Sequence, residues 1–169
     1  MCSMVGFWAG PRLLVIFYSL HGNTRFIAAR IAAAGRGDLL VLQPKLLAKP
    51  PGLLRPAKDA QILMGDKPAL LPFRKAPEEY DLLIIGTPVW GLSCAPPLRF
   101  FLADQNLRRK KIALFCCHSG RPGEAIAQMT SGLAGNTILG EASFCEPLQN
   151  RRSSAKQAAA WYQEILVRI

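Results

Sequence analysis

The chain has 169 residues, of which 50% are hydrophobic and 19% charged, a composition typical of one domain with a sizeable core. No apolar run is long enough for a transmembrane helix, and the five cysteines have neither the spacing of a zinc site nor the even number of a disulfide framework. The net charge of +10 favours acidic partners such as nucleotides, nucleic acid or membrane surfaces. The basic run at residues 108–111 directly precedes a predicted strand, so we expect a solvated loop there and no nucleic-acid interface.

The fold is predicted to begin after a short N-terminal extension. Residues 1–11 lack the basic start and long apolar core of a signal peptide, so we expect a cytoplasmic protein with a single domain over residues 12–169. Residues 13–18 are continuously apolar, as in a strand buried on both faces of a parallel sheet. Ile27, Ile31 and Ala34 then fall on one stripe of a predicted helix over residues 25–34.

The first turn, defined here as residues 19–24, joins this strand to this helix. The first amides of a helix have no intrahelical partner and the helix dipole adds positive charge there, so such a turn is a natural anion site. Ser19 and Thr24 can add hydroxyl donors and Asn23 an amide donor, while Gly22 permits close approach of a ligand. The alternative is an ordinary strand-to-helix turn in which Asn23 or Thr24 caps the helix.

The middle of the chain alternates apolar runs with an irregular segment. A second strand is predicted over residues 38–43 and a third over residues 80–87. Between them, the proline-rich residues 44–77 are predicted to form a functional lid or a partly ordered segment, with a helix over residues 56–64. Pro96 and Pro97 begin the next helix, because proline suits the first turn.

Two more strands and a helix follow. Residues 111–117 are predicted as the fourth strand, in which Cys116 packs as a small buried side chain. The next helix carries Met129 on its inner face and is expected to stop at Gly135. Residues 138–145 are predicted as the fifth strand, whose Gly140 and Glu141 favour an edge position.

The last helix is predicted to begin near Ser154. Ser154 and Gln157 have the spacing of a capping box. Trp161 and Tyr162 lie on the apolar stripe of this helix, which favours a core position over a cofactor contact.

Five strands alternating with helices predict a three-layer, doubly wound α/β sandwich with a parallel sheet of strand order 2-1-3-4-5. Ligands of such sheets bind beyond the carboxyl ends of the strands, at the switch point. Strands one, three and four lie side by side in this order, so the turns that follow them converge. We define the second turn as residues 86–91 and the third turn as residues 118–123.

The motifs in these turns resemble a known family. Ser-Leu-His-Gly-Asn-Thr in the first turn, Gly-Thr-Pro-Val-Trp-Gly in the second and His-Ser-Gly-Arg-Pro-Gly in the third are similar to the three flavin loops of the flavodoxin-like family, which binds FMN. The resemblance runs from about residue 13 to the C-terminus, and the second turn is its most specific part. His21 stands where the family has a threonine, which replaces a hydroxyl of the phosphate cradle by an imidazole.

The resemblance implies that all three turns bind FMN. Trp90 is expected against the isoalloxazine ring, the alternative being a core residue, and His118 near the ring, the alternative being a surface histidine. Cys94 is expected to be an inert packing residue and not a redox thiol. No metal ligand and no catalytic side chain are expected, because the flavin carries the chemistry. The residues assigned to the cofactor are Ser19, His21, Gly22, Asn23, Thr24, Thr87, Pro88, Val89, Trp90, Gly91, His118, Ser119, Gly120 and Gly123.

This resemblance implies an FMN-dependent oxidoreductase that transfers electrons from NAD(P)H to a quinone or similar small acceptor. A redox protein is an alternative electron donor. A one-electron carrier is the alternative function, but carriers of the family are strongly acidic and this chain has a net charge of +10. A third hypothesis is a protein that has kept the fold but does not bind a flavin. The replacement of the family's threonine by His21 is the only feature of the sequence that suggests it. The sequence leaves the oligomeric state open, a homodimer included.

Overall fold

A computed structural model describes residues 10–45 and 69–169 of the chain. Five parallel strands form a sheet of order β2-β1-β3-β5-β6, and the short β4 pairs antiparallel with β3. This confirms the predicted fold class and strand order, since β4 is the one addition. The strands are β1 (Leu13–Phe17), β2 (Asp38–Val41), β3 (Leu82–Trp90), β4 (Ser93–Cys94), β5 (Lys111–His118) and β6 (Thr137–Cys145).

Among the described residues, four α-helices lie on the two faces of the sheet. They are α1 (Asn23–Gly35), α2 (Pro96–Asp104), α3 (Ala125–Ser131) and α4 (Arg151–Val167). Helices α1 and α4 contribute to the hydrophobic core on one face, and α2 and α3 contribute to the core on the other. Trp161 and Tyr162 of α4 are buried in the first of these cores, as predicted.

Strand β1 is continuously apolar because it faces both cores. Leu14 and Ile16 pack into the core beneath α2 and α3, while Leu13, Val15 and Phe17 pack into the core beneath α1 and α4. This alternation is the two-residue period of a strand buried on both sides. The sheet therefore holds the end of β1, and the first turn after it, between two packed layers.

Two helix ends differ from the predictions. Helix α4 begins at Arg151, and Ser154 is a buried residue whose backbone N–H bonds to the carbonyl of Asn150 within the helix, so the predicted capping box is wrong. Helix α3 ends at Ser131 and not near Gly135. The N–H of Gly132 is shared between the carbonyls of Gln128 and Met129, which tightens and ends the last turn.

The two described ends of the proline-rich segment pair with each other, and the second end also contacts α2. Pro44 forms an isolated antiparallel bridge with Leu70, and Phe73 contacts Phe101 edge-to-face at 5.7 Å between ring centroids. Pro77–Glu79 forms one turn of 3-10 helix before β3. The helix expected over residues 56–64 lies outside the described residues.

Residues 108–110 of the basic run lie in the turn before β5, and Lys111 is the first residue of that strand. Lys110 donates hydrogen bonds through Nζ to the backbone carbonyls of Glu78 and Tyr80, while Arg108 and Arg109 are exposed. This agrees with the loop predicted there. Within the described ranges, no helix is both long and apolar enough to cross a membrane.

Candidate functional site

A cleft of about 490 Å³ lies at the carboxyl ends of β1, β3 and β5, where the three turns meet. This volume falls within the usual range of small-molecule sites, about 300–1,000 Å³. The loop that follows β6 closes a fourth side. The lining residues are Ser19, Leu20, His21, Asn23, Thr24, Pro88, Val89, Trp90, Cys117, His118, Ser119, Glu146, Leu148 and Gln149.

The first turn presents the amino end of α1 to the cleft. Gly22 precedes the helix with φ +92°, a left-handed conformation that glycine adopts without strain, so neither Asn23 nor Thr24 is the capping residue. The amides of Asn23 and Thr24 are the first of the helix and have no intrahelical carbonyl to bond. The Ser19 hydroxyl oxygen accepts hydrogen bonds from the N–H groups of Gly22 and Arg25, both at 3.2 Å. Ser19 thereby shapes the turn and retains its own O–H as a donor.

Thr24 brings a buried hydroxyl to the same place. The residue is 0% exposed, and its Oγ1 has no hydrogen-bond partner among the described residues. Burial raises the pKa of the neighbouring Cys117 thiol to about 12, and the Thr24 hydroxyl offsets part of that effect. A thiol is a weak hydrogen-bond partner, so the buried Thr24 hydroxyl is poorly satisfied. This lowers the stability of the free protein unless a ligand supplies a hydrogen-bond partner.

His21 is an exposed side chain at the mouth of the cleft. It lies beside the amino end of α1, at the position where the family resemblance has a threonine. The imidazole can donate a hydrogen bond to an anion from this position, as the missing hydroxyl would.

The second turn is built differently from the prediction. Strand β3 continues past Thr87 to Trp90, and the chain then reverses at Gly91 and Leu92 into β4. Pro88, Val89 and Trp90 therefore reach the cleft from the end of a strand, which holds them more rigidly than a loop. Trp90 is half-buried and contacts Tyr18 edge-to-face, with ring centroids 5.5 Å apart and an angle of 85° between planes.

Two assigned residues of the second turn do not line the cleft. Thr87 is 0% exposed, and its hydroxyl accepts a hydrogen bond from the Ala95 amide at 3.0 Å and donates one to the Pro88 carbonyl at 2.9 Å. Gly91 lies at the tip of the hairpin with φ +55°. Both residues shape the wall that carries Trp90.

Two of the four residues assigned to the cofactor in the third turn line the cleft. His118 and Ser119 line the cleft, and the Nδ1 atom of His118 is buried with no hydrogen-bond partner in the described part of the chain. Gly120 is exposed with open space around it. Gly123 packs directly against Leu92, next to the second turn. A Cβ at this position would lie 2.2 Å from the Leu92 carbonyl oxygen, so a larger residue does not fit.

The loop after β6 was missed by the sequence interpretation. Glu146, Leu148 and Gln149 line the cleft, and the Asn23 side chain fastens this loop by accepting the Leu148 N–H at 3.0 Å. Asn23 Oδ1 is therefore occupied, and its amide nitrogen stays available as a donor. Leu20 and Cys117 were also unassigned. A usable signal was present, since the fifth strand neighbours the fourth and its carboxyl end must reach the same edge of the sheet.

The cysteines in the described residues do not form a reactive site at the cleft. Burial raises the pKa of Cys94 to about 11, and its thiol faces the Thr87 hydroxyl at 3.6 Å. Burial raises the pKa of Cys116 to about 12. Thiols with such pKa values remain protonated at neutral pH, so Cys94 and Cys116 act as small packing residues. Within residues 10–45 and 69–169, no group of three or more His, Cys, Asp or Glu side chains is arranged to hold a metal ion.

A second cleft, of about 550 Å³, lies between residues 69–73 and 100–105. Asp104 is the one ionisable side chain in its lining, and the rest is mostly apolar. Of these two clefts, the first is the one in which several polar side chains converge, so it is the better candidate for a cofactor site.

Comparison with known proteins agrees with this architecture. The flavodoxin family profile matches residues 12–165. A Lactobacillus acidophilus flavoprotein solved in complex with FMN superposes with a TM-score of 0.66 at 20% identity, covering 83% of this chain and 98% of that one. A Bacteroides eggerthii protein provisionally named a flavoprotein gives a TM-score of 0.71 at 21% identity, covering 92% of this chain and 98% of that one.

A Fusobacterium nucleatum flavodoxin bound to flavin mononucleotide gives a TM-score of 0.59 at 12% identity, covering 92% of this chain and 96% of that one. No curated protein matches the chain in sequence. At these identities the solved structures establish the fold, whereas the family profile spans more than half of the sequence. The chain therefore belongs to the flavodoxin family.

Proposed function

We propose that the protein binds one FMN in the cleft and uses it to transfer electrons from NAD(P)H to a quinone or similar small acceptor. The observation that carries the proposal is the buried, poorly satisfied hydroxyl of Thr24, which lies with two unpaired helix amides at the point where the three turns meet. The FMN complexes of the Lactobacillus and Fusobacterium proteins, which share this fold, support it.

The first turn has the chemistry to hold a phosphate. The Thr24 hydroxyl, the Ser19 O–H and the first amides of α1 are all donors, and the helix dipole adds positive charge. Gly22 leaves the backbone uncovered, so a phosphate can approach the amides closely. His21 at the mouth can donate a further hydrogen bond.

The opposite walls have the chemistry to hold a flavin ring. Pro88, Val89 and Trp90 provide an apolar and aromatic side, while His118 Nδ1 and Ser119 provide polar atoms for the ring's heteroatom edge. Leu148 closes the fourth side. A cleft with one anion-binding end and one apolar end fits a molecule with a phosphate at one end and an aromatic ring at the other.

FMN held by these residues would supply hydride and electron-transfer chemistry: NAD(P)H would provide two electrons and one proton as a hydride, and a quinone would take up those electrons with that proton and one more from solvent. The described residues that line the cleft would bind and orient the flavin, and none of them is assigned as a proton donor or acceptor. The chain's net charge of +10 attracts an anionic nucleotide and disfavours the acidic-carrier alternative.

Two measurements test the proposal. Titration of the purified protein with FMN is expected to quench the flavin fluorescence at one FMN per chain, at micromolar concentrations. Steady consumption of NADH or NADPH in the presence of a quinone is then expected from the loaded protein. Absence of quenching would refute FMN binding, whereas binding without nucleotide consumption would favour the one-electron carrier.

A further inference from the structure

Leu92 has a backbone conformation that leucine rarely adopts. Trp90 pairs with Ser93 across the β3–β4 hairpin, so Gly91 and Leu92 are its two turn residues, with φ values of +55° and +63°. A two-residue turn with both residues at positive φ is a type I′ turn, which strongly favours Gly, Asn or Asp. Gly91 fits this preference, and Leu92 is strained in it.

The surroundings of the hairpin hold this strained residue in place. The Leu92 carbonyl accepts the Glu124 N–H at 2.8 Å, and Gly123 lies so close to Leu92 that no other residue fits there. Gln128 accepts the Cys94 N–H through its side-chain oxygen at 2.9 Å and so fixes the second strand of the hairpin. Three bracing residues thus stabilise a turn that a glycine at position 92 would form without them.

Burial against the described part of the chain does not account for a leucine at this position. The Leu92 side chain is 50% exposed, and the other exposed large hydrophobic residues among those described, Val167 and Ile169, lie at the end of α4. One exposed leucine is ordinary on a protein surface. An exposed leucine held in a strained turn, two residues from the tryptophan that lines the cofactor cleft, indicates a role toward something outside the chain.

We propose that Leu92 is a specificity-determining contact for the electron acceptor, and that it selects a neutral, apolar ring such as a quinone. The proposal rests on the proposed function, because it concerns the acceptor of the same site. Residues 90–94 carry no charged side chain, so the hairpin offers an apolar edge beside Trp90 and nothing that recognises a phosphate. An acceptor that enters beside Trp90 buries its ring against the exposed half of Leu92.

The experiment compares Leu92→Gly with the wild type, both loaded with FMN. Glycine adopts the turn without strain, so the melting temperature is expected to stay equal or to rise. The dissociation constant for FMN is expected to stay within about twofold. The KM for menadione is expected to rise about fivefold, which is the loss expected when about half a leucine side chain no longer becomes buried. The rate with ferricyanide, a small hydrophilic acceptor, is expected to be unchanged.

A binding measurement gives a readout independent of turnover. Equilibrium dialysis of menadione against the oxidised, FMN-loaded protein is expected to show the same loss of about fivefold in Leu92→Gly. Leu92→Asn tolerates the left-handed turn but is polar, and is expected to behave like Leu92→Gly. Ile169→Gly removes an exposed apolar side chain at the far end of α4 and is the matched control, with no change expected.

Unchanged menadione affinity and KM in Leu92→Gly would overturn the inference. A weakened affinity for FMN, or an equal slowing with ferricyanide and menadione, would also overturn it, because either would assign the residue to the hairpin's own structure. Failure of the proposed function is distinguishable, since it appears in the wild type as no FMN binding or no nucleotide consumption.

Discussion

The two ends of the parallel sheet differ in whether their polar side chains have hydrogen-bond partners within the described residues. At the amino end, the Asp38 carboxylate accepts a hydrogen bond from the Tyr80 hydroxyl and an ion-pair contact from Lys75, both at 2.7 Å. Asp81 likewise accepts the Arg12 backbone N–H at 2.8 Å. These polar groups have partners within the chain itself.

At the carboxyl end, two buried polar atoms have no hydrogen-bond partner among the described residues. Thr24 Oγ1 and His118 Nδ1 are buried without hydrogen-bond partners in the described ranges, and both belong to residues that line the cleft. Unpaired buried polar atoms are rare in folded proteins because each one costs stability. The contrast supports the proposal that a ligand provides the missing partners of Thr24 and His118, whereas Asp38 and Asp81 already have partners in the fold.

The largest effect is expected from Thr24→Val, which removes the open hydroxyl and keeps the shape of the side chain. FMN affinity is expected to fall about 10- to 150-fold, the loss of one hydrogen bond to a charged group. Riboflavin, which has no phosphate, should bind almost unchanged. The free protein should be as stable as the wild type or more so, since a poorly satisfied group has gone.

Fluorescence titrations with both flavins and a thermal melt measure these quantities. Thr137→Val makes the same substitution at an exposed site on the amino end of β6, and no change in flavin affinity is expected from it. Equal losses for FMN and riboflavin in Thr24→Val would move Thr24 out of the phosphate site.

Trp90→Ala is expected to weaken both flavins about tenfold, because an aromatic contact and its buried area are lost together. The melting temperature should also fall by several degrees, since the half-buried ring packs against Tyr18. Trp90→Phe retains a ring and should recover most of the affinity. If the folded Trp90→Ala protein bound both flavins with normal affinity, Trp90 would have only a structural role.

Asn23→Ala removes the hydrogen bond to the Leu148 N–H and so releases the loop after β6. The free energy of unfolding is expected to fall by about 1 kcal/mol, and both flavins should bind several-fold more weakly. Asn23→Asp keeps the acceptor but adds a negative charge beside the phosphate site. It should recover riboflavin binding and not FMN binding, and recovery of both would contradict a phosphate at this turn.

The smallest effect is expected at the amino end, from Asp38→Asn. Hydrogen bonds from Lys75 and then Tyr80 lower the pKa of Asp38 below its ordinary value of 3.8. A carboxyl whose folded-state pKa is lowered stabilises the fold above its ordinary pKa and loses that contribution as the pH falls through the folded-state value.

The Asp38 side chain is 53% exposed, so its ion pair contributes only a few tenths of a kcal/mol. Asp38→Asn should therefore lower the melting temperature at pH 7 by about 1 °C. That difference should vanish as the pH falls well below 3.8, and FMN affinity should not change. A difference that persists in acid would show that the ion pair is not its cause.

Much of this fold was predictable because the information is local. Strands β1, β3 and β5 each contain a continuous apolar run, and Pro96 starts α2 at the predicted residue. The helix that begins at Arg151 was predicted late, because Ser154 resembles a cap in sequence while its neighbours bury it within the helix. Which of two nearby residues begins a helix depends on tertiary packing that the sequence pattern does not carry.

The candidate site was partly predictable for the same reason. The three turns carry recognisable polar and glycine residues, and the structure brings them to one cleft. The β3–β4 hairpin was missed because its turn is Gly91-Leu92, in which the second residue does not have the usual preference for positive φ. The hydrogen bonds that the Ala95 N–H donates to Thr87 and the Leu148 N–H donates to Asn23 were missed because each donor lies outside the element that holds its acceptor.

The bond between Asn23 and Leu148 also has a consequence for how the protein is made. The two residues are 125 positions apart, so a ribosome that adds about 5–20 residues per second completes the first turn roughly 6–25 s before its partner loop is synthesised. During that interval the nascent chain has the amino end of α1 but not the loop that closes the cleft. The cleft is therefore complete only after the loop that follows β6 has been synthesised, and FMN capture is expected to follow that step.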